Sequence, residues 1–342
     1  MYKIKNATAI VISILAVWAI FPSCSSSNST ATPGDWQTRS ELDGVARSEA
    51  VSFVIGDSAY LATGYDGTYR LADVWQYNPA LDSWRQKADL PGTPRSSAVA
   101  FALNGKGYVG TGYDGANNLN DFWQYDPTAN SWTRKADFGG SARYDAVGFA
   151  VLNKGYISTG YDGNYLKDFW QYDDASNSWT QMISFGGTKR SGAVAFVYNN
   201  KAFVVTGNNN GVTTSVNDFW VFDPTANPYW SQRRDITNAN ATETYDDLYT
   251  TITRTNAVAF VIGDYAYLST GNNGAITSVT WQYNIAQDLW VSGYTPFENS
   301  SREGAVGFSV NNQGYVTTGR NGTAVYDDTM QFYPDSTYVA GN

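Results

Sequence analysis

The chain repeats itself six times. An arginine followed three residues later by an Ala-Val-small-Phe run opens copies at Arg47, Arg95, Arg143, Arg190, Arg254 and Arg302, spaced 48, 48, 47, 64 and 48 residues apart. Sixteen residues after every arginine stands Thr-Gly, beginning at Thr63, Thr111, Thr159, Thr206, Thr270 and Thr318. A Trp-Gln-Tyr-like run follows, and in five copies a second Trp opens a last segment. A unit of this length cannot bury its apolar face alone and must stack on its neighbours, so the period dictates the fold before any single residue does.

Each copy reads as four short strands: Ala98-Val99-Ala100-Phe101, Gly107-Tyr108-Val109-Gly110, Phe122-Trp123-Gln124-Tyr125 and Ser131-Trp132-Thr133-Arg134 in the second copy. The first is apolar on both faces and small on one, as expected beside a crowded axis. No segment keeps a 3.6-residue period. Four strands in about 48 residues predict a β-propeller blade, and six copies predict six blades. The sixth copy runs out after Met330-Gln331-Phe332, while Trp36-Gln37-Thr38-Arg39 stands alone at the front, 11 residues before Arg47 as Trp84 is before Arg95. The N-terminal strand is therefore expected to supply the outer strand of the last blade and close the ring.

The units resemble the kelch repeat. Tyr-Val-Gly-Thr-Gly stands at its hydrophobic run and Gly-Gly doublet; Asp121, Tyr125 and Trp132 match later positions, and Arg143 matches the arginine that follows. The departure is Thr-Gly for Gly-Gly in all six copies. The Gly-His and Trp-Asp pairs of WD repeats are absent. The resemblance covers residues 36 to about 335 and implies an all-β, six-bladed propeller of kelch type over 36–342.

Ahead of the repeats, Lys3 and Lys5 precede an uncharged apolar run from Ala7 to Phe21, too short to span a membrane comfortably. It leads into Phe21-Pro22-Ser23-Cys24, which resembles the lipobox of bacterial lipoproteins and holds the only cysteine. The resemblance implies a signal peptide over 1–23, acylation of Cys24, and a lipid anchor at the outer membrane facing the periplasm. Residues 24–35, rich in Ser, Thr, Pro and Gly, read as a tether. Removal of the leader takes the net charge from −9 to −11, because both lysines leave with it. That balance argues against nucleic acid, since no basic surplus exists to release counterions. Zero histidine and one cysteine exclude His-containing metal sites, Ser-His-Asp triads and disulfide frameworks. We expect a monomer without a cofactor.

Features that recur in every copy belong to the scaffold. Eleven of the 12 tryptophans fall at two fixed repeat positions, and each buries about 150–250 Å², roughly 4–6 kcal/mol at most. The six arginines are expected to pair with Asp73, Asp121, Asp168, Asp218 and Asp328, with Val279 replacing the acid in copy five. Function should lie where copies differ. After Thr-Gly the first three read Tyr65-Asp66-Gly67, Tyr113-Asp114-Gly115 and Tyr161-Asp162-Gly163, and later ones carry Asn208, Asn272 and Arg320. Asp-Gly and Asn-Gly are turn formers, so those acids have a structural reading beside a binding one. Two residues after each arginine come Glu49, Ser97, Asp145, Gly192, Asn256 and Gly304, which the kelch resemblance sets near the channel mouth. The 231–253 insertion lengthens copy four as a lid or a decorated loop.

These features give a lipid-anchored, non-catalytic binding protein of the cell envelope, with a glycan or protein ligand at the face of the Tyr-Asp-Gly loops. Tyr65, Asp66, Tyr113, Asp114, Tyr161, Asp162, Glu49, Asp145 and Arg320 are the candidate ligand-binding residues. The alternative is a carbohydrate-active enzyme of the sialic-acid mutarotase kind, six-bladed kelch proteins whose acid–base chemistry could use Glu49, Asp145 and Arg320. A galactose-oxidase copper site is excluded because its His ligands are missing. A structural or adhesion role is the third possibility.

Overall fold

The computed structural model describes residues 32–212, 216–237, 249 and 251–338; the leader and Cys24 lie outside the described residues. Among the described residues every regular element is a β-strand; they form six four-stranded antiparallel sheets and one two-stranded hairpin, Arg320–Asn321 with Ala324–Val325. The innermost strands of blades one to six are Val51–Ile55, Val99–Leu103, Val147–Val151, Val194–Tyr198, Val258–Ile262 and Val306–Val310. Each lies against the next, and the sixth returns to the first, closing a six-bladed propeller. The closing strand is the N-terminal one. Pro33–Arg39 pairs antiparallel with Thr329–Thr337, setting Trp36 opposite Phe332 at the outer edge of blade six. This strand takes in residues 33–35, which the composition reads as tether.

Alternation along the innermost strands divides their side chains between two environments. Val99, Phe101 and Leu103 are buried between blades, while Ala100 and its small counterparts face the axis and line a channel cavity of about 180 Å³. The core is therefore distributed between neighbouring blades. Phe53, Tyr60 and Val74 of blade one pack with Val109 and Tyr125 of blade two, and Leu61 and Tyr77 pack with Val306 and Phe308 of blade six. A β-carbon at Gly107 would come within 2.2 Å of the Phe53 ring, so the second strand is glycine where the neighbouring ring lies flat on its backbone.

The constant arginine-to-threonine offset has a direct cause. In every blade the buried arginine donates from Nη1 to the carbonyl of the threonine sixteen residues on, at 2.7–3.1 Å. All six threonines have φ between 57° and 65°. Glycine adopts this left-handed backbone freely, which accounts for a Gly-Gly doublet in the resembled repeat; threonine takes it at a cost of about 1–2 kcal/mol.

Five of the arginines also hold the expected aspartates. Arg47–Asp73, Arg95–Asp121, Arg143–Asp168 and Arg302–Asp328 approach to 2.6 Å, and Arg190 pairs with Asp218. Burial alone would push the carboxyls of Asp73, Asp121 and Asp168 up, but the arginine hydrogen bonds and charge outweigh it and hold them below the usual range. In blade five, Arg254 donates instead to the carbonyls of Thr251, Ile252, Thr270 and Val279, and burial pulls its guanidinium down to about 9. Trp281 Nε1, whose counterparts in blades one to four donate to the aspartate, donates to Thr251 Oγ1 at 3.0 Å. Thr251 belongs to the insertion. Ile236 and Ile252 near the insertion's two ends are fully buried, and the Tyr249 hydroxyl lies 3.1 Å from the Trp290 backbone nitrogen and carbonyl oxygen.

Candidate functional site

The residues two places after the arginines converge at one end of the channel. Glu49, Ser97, Asp145, Gly192, Asn256 and Gly304 line a cavity of about 120 Å³ together with the alanines that follow them. All six have φ between 51° and 61°. That backbone turns each N–H toward the carbonyl of the preceding blade. Ser97 N donates to Glu49 O, Asp145 N to Ser97 O, and so on round to Glu49 N and Gly304 O, at 2.7–3.1 Å. The hydrogen bonds form a complete ring. It fixes the backbone of the mouth and leaves six side chains free to differ.

Outside this ring lie the residues that follow Thr-Gly. Each pairs across a β-bridge with the residue after the repeat arginine: Ser48 with Tyr65, Ser96 with Tyr113, Tyr144 with Tyr161, Ser191 with Asn208, Thr255 with Asn272 and Glu303 with Arg320. The mouth thereby has two unlike arcs. On blades one to three, the Arg70 guanidinium lies over the rings of Tyr65 and Tyr113, 4.3 and 5.3 Å from their centroids. Ring contacts then run from Tyr113 to Tyr144 at 5.5 Å, Tyr144 to Tyr161 at 5.7 Å and Tyr161 to Tyr165 at 5.1 Å. From blade six, Arg320 Nη2 reaches to 3.2 Å from Glu49 Oε1 of blade one, and its Nε lies 3.7 Å from Glu303 Oε1. Asn272 donates to Glu303 Oε2 at 3.2 Å, and Ser97 Oγ to Glu49 Oε2 at 3.4 Å.

Of the candidate residues, Glu49, Asp145 and Arg320 are brought together at the mouth, and Tyr65, Tyr113 and Tyr161 form the spine of the aromatic arc. The three aspartates of the Tyr-Asp-Gly loops are turned to local work. Asp66 accepts from the backbone N–H groups of Thr68 and Tyr69, Asp114 from those of Ala116 and Asn117, and Asp162 from that of Asn164, at 2.6–3.0 Å. These are Asx turns that shape the loops carrying the tyrosines. The hydroxyls of Tyr65 and Tyr113 donate to the carbonyls of Gly67 and Gly115, so their rings are held from both ends.

Electrostatics single out Asp145. Burial pushes its carboxyl up to about 6; the Ser97 hydrogen bond opposes that shift and the Glu49 charge adds to it. Among the described residues, no group of three or more His, Cys, Asp or Glu side chains is placed to hold a metal ion. Sequence reasoning passed over Arg70, Tyr144, Tyr165 and Glu303, and noted Asn272 only as a departure from the tyrosines. For Tyr144 and Glu303 a signal existed: the position after the repeat arginine is Ser or Thr in the other four copies.

Comparison with known proteins agrees with this architecture. The family model described as the KLHDC2/KLHL20/DRC7 Kelch-repeats domain matches residues 87–207, and the Kelch motif model matches residues 46–91. A solved structure titled "Structure of YjhT" superposes with a TM-score of 0.71 over 84% of this chain and 95% of that one, at 16% sequence identity. No curated protein sequence matches the chain. With six closed four-stranded blades, the repeated arginine–threonine–aspartate lock and these matches, residues 46–207 carry kelch repeats and the fold is that of a kelch-type β-propeller.

Proposed function

We propose that this propeller is a non-catalytic binding protein of the bacterial cell envelope, anchored by lipid at Cys24, that takes a glycan on the face of the Tyr-Asp-Gly loops. The observation that carries the ligand class is the pairing of the two arcs around one mouth. Tyrosine rings offer flat apolar faces to sugar C–H groups, while Asn272 and Arg320 of blades five and six, with Glu49 and Ser97 of the mouth ring, offer donors and acceptors to hydroxyls. A protein ligand would use the same face. The anchor rests on the lipobox-like context of Cys24, and mass spectrometry of the mature N-terminus tests it: a diacylglyceryl adduct is expected, and an unmodified thiol would refute it. For the face, the purified full chain is expected to retain one or more glycans on an array. A Tyr113→Ala, Tyr161→Ala double variant should lose them at least tenfold while melting within a few degrees of the parent. Unchanged retention would place the ligand elsewhere.

One observation favours a second reading. A carboxyl pushed up to about 6 beside a Glu–Arg pair is poised to exchange protons near neutrality, as a mutarotase of the sialic-acid kind would require. Anomer exchange of free sialic acid followed by NMR separates the readings. The binding role expects no acceleration; acceleration that disappears in Asp145→Asn would establish the enzyme.

A further inference from the structure

At the outer rim the blades serve as controls for one another. In blades one, two and three, Tyr77, Tyr125 and Tyr172 donate their hydroxyls to Asp82, Asn130 and Asn177 at 2.7–2.8 Å. The same turn residue accepts the backbone N–H of Ser40, Ala88 or Ala136, where the preceding outer strand ends, at 2.9–3.0 Å. The carbonyl of that end residue in turn accepts from the indole of Trp84, Trp132 or Trp179 at 2.8–3.1 Å. This three-part staple closes the corner between adjacent blades. Blade five keeps its first two parts through Tyr283, Asp288 and the Arg234 N–H.

Blade four has none of them. Phe222 replaces the tyrosine, and the turn to Trp230 is one residue longer than its counterparts. Asn227 has no hydrogen-bond partner among the described residues, and no bond ties Ile183, the end residue of blade three, to this turn. Trp230 is 6% exposed, and its Nε1 has no acceptor. A cleft of about 580 Å³ opens at this corner, walled by Trp220, Tyr229, Trp230 and Ile183 and edged by Ser184 and Asn227. Ile183 is 75% exposed. No charged residue lines the cleft.

We propose that this cleft is a second carbohydrate site, distinct from the loop face, taking one or two neutral pyranose units. The volume falls in the range of small-ligand pockets, and the lining has their composition of aromatic walls with few polar groups. Trp220 is held in place because its own N–H donates to Asp218 at 2.8 Å, which presents its ring as a fixed surface for a sugar face. Ser184 and Asn227 supply a hydroxyl and an amide at the edge. Trp230 Nε1 carries the penalty of a buried donor without an acceptor, as Trp290 Nε1 does in blade five; an outward shift of the unstapled Ile183–Ser184 wall would let a sugar hydroxyl oxygen meet it. The absence of charge selects a neutral sugar over an acidic one.

The test titrates the purified full chain with methyl β-D-glucopyranoside, methyl β-D-galactopyranoside and methyl α-D-mannopyranoside, read by saturation-transfer NMR and indole fluorescence. At least one of the three is expected to bind with millimolar affinity. Trp220→Ala should weaken it at least tenfold. Ile183→Trp, at an exposed position that leaves the core untouched, should block it to the same extent. The Tyr113→Ala, Tyr161→Ala double variant should leave it unchanged, so failure here is distinguishable from failure of the loop-face reading. Binding of none of the three, or binding indifferent to Ile183→Trp, would overturn the proposal. So would a decaproline peptide that binds in the sugars' place and is displaced by Ile183→Trp.

Discussion

The inside of the ring and its loop face are built by the same six repeats, yet they differ in how far the blades agree. Inside, the arginine–threonine bond is present six times and the arginine–aspartate pair five times. On the loop face, three blades carry tyrosines where the others carry Asn208, Asn272 and Arg320. Sixfold repetition means that every blade meets the same two neighbours, so any contact that closes the ring is needed in every copy. A ligand is not sixfold symmetric, and a surface that recognises one must break the pattern. The closed ring of backbone hydrogen bonds at the mouth separates the two demands, because it holds the backbone alike in all blades whichever side chain stands there.

The comparison can be broken most severely at the seam. Deleting Trp36–Arg39 removes a fully buried indole and the outer strand of blade six, so the domain should lose its cooperative thermal transition at temperatures where the parent is folded. Deleting Ser25–Thr30 should leave the transition in place; equal midpoints for the two truncations would show that the seam does not close the ring.

Within the ring, Asp121→Ala strands the fully buried Arg95 guanidinium and should cost about 3–5 kcal/mol in denaturant unfolding. Blade five sharpens this point from the other side, since Arg254 is already buried with carbonyl partners alone among the described residues. Val279→Asp gives it the carboxylate found in the other blades and should stabilise by about 1–2 kcal/mol. A loss instead would mean that the Thr251 arrangement has become the better partner. The expected sign differs from that of most core substitutions, which destabilise.

The smallest effect concerns pH. The Asp145 carboxyl is raised in the folded chain, so the folded state holds its proton more tightly than the unfolded one. Its contribution to stability is present at low pH and is lost as pH rises from about 4 through about 6. Asp73, Asp121 and Asp168 act oppositely: their lowered values contribute stability above about pH 4 that disappears in acid. Asp145→Asn should therefore flatten the decline between pH 4 and 6 without altering the acid limb. Identical pH profiles for parent and variant would show that this carboxyl titrates as it does in water.

Much of the scaffold was legible because its causes are local and repeated. Strand alternation, the turn signals and the fixed arginine-to-threonine offset lie within one copy, and six copies average away the noise of each. The solitary Trp36 strand could be assigned because the sixth copy lacked that same strand. The loop acids were legible only in part: Asp-Gly marks a turn, but the sequence does not say whether its carboxylate is spent on the turn. The structure shows Asp66, Asp114 and Asp162 bonded to their own loops' backbone N–H groups.

What the sequence determined by itself is the blade, the number of blades and the strand that closes them, since each follows from periodicity and from what is left over when the period ends. What only the tertiary structure decided is which side chains meet. Arg70 lies over tyrosines of two blades, Arg320 reaches Glu49 from the opposite end of the chain, and Thr251 stands in for an aspartate at position 279. At the open corner of blade four, Phe222 lacks the tyrosine hydroxyl and no bond ties Ile183 across the interface to its turn. These meetings depend on blade twist and on the closure of the ring, which bring together residues far apart in the chain, and no local pattern encodes such distances.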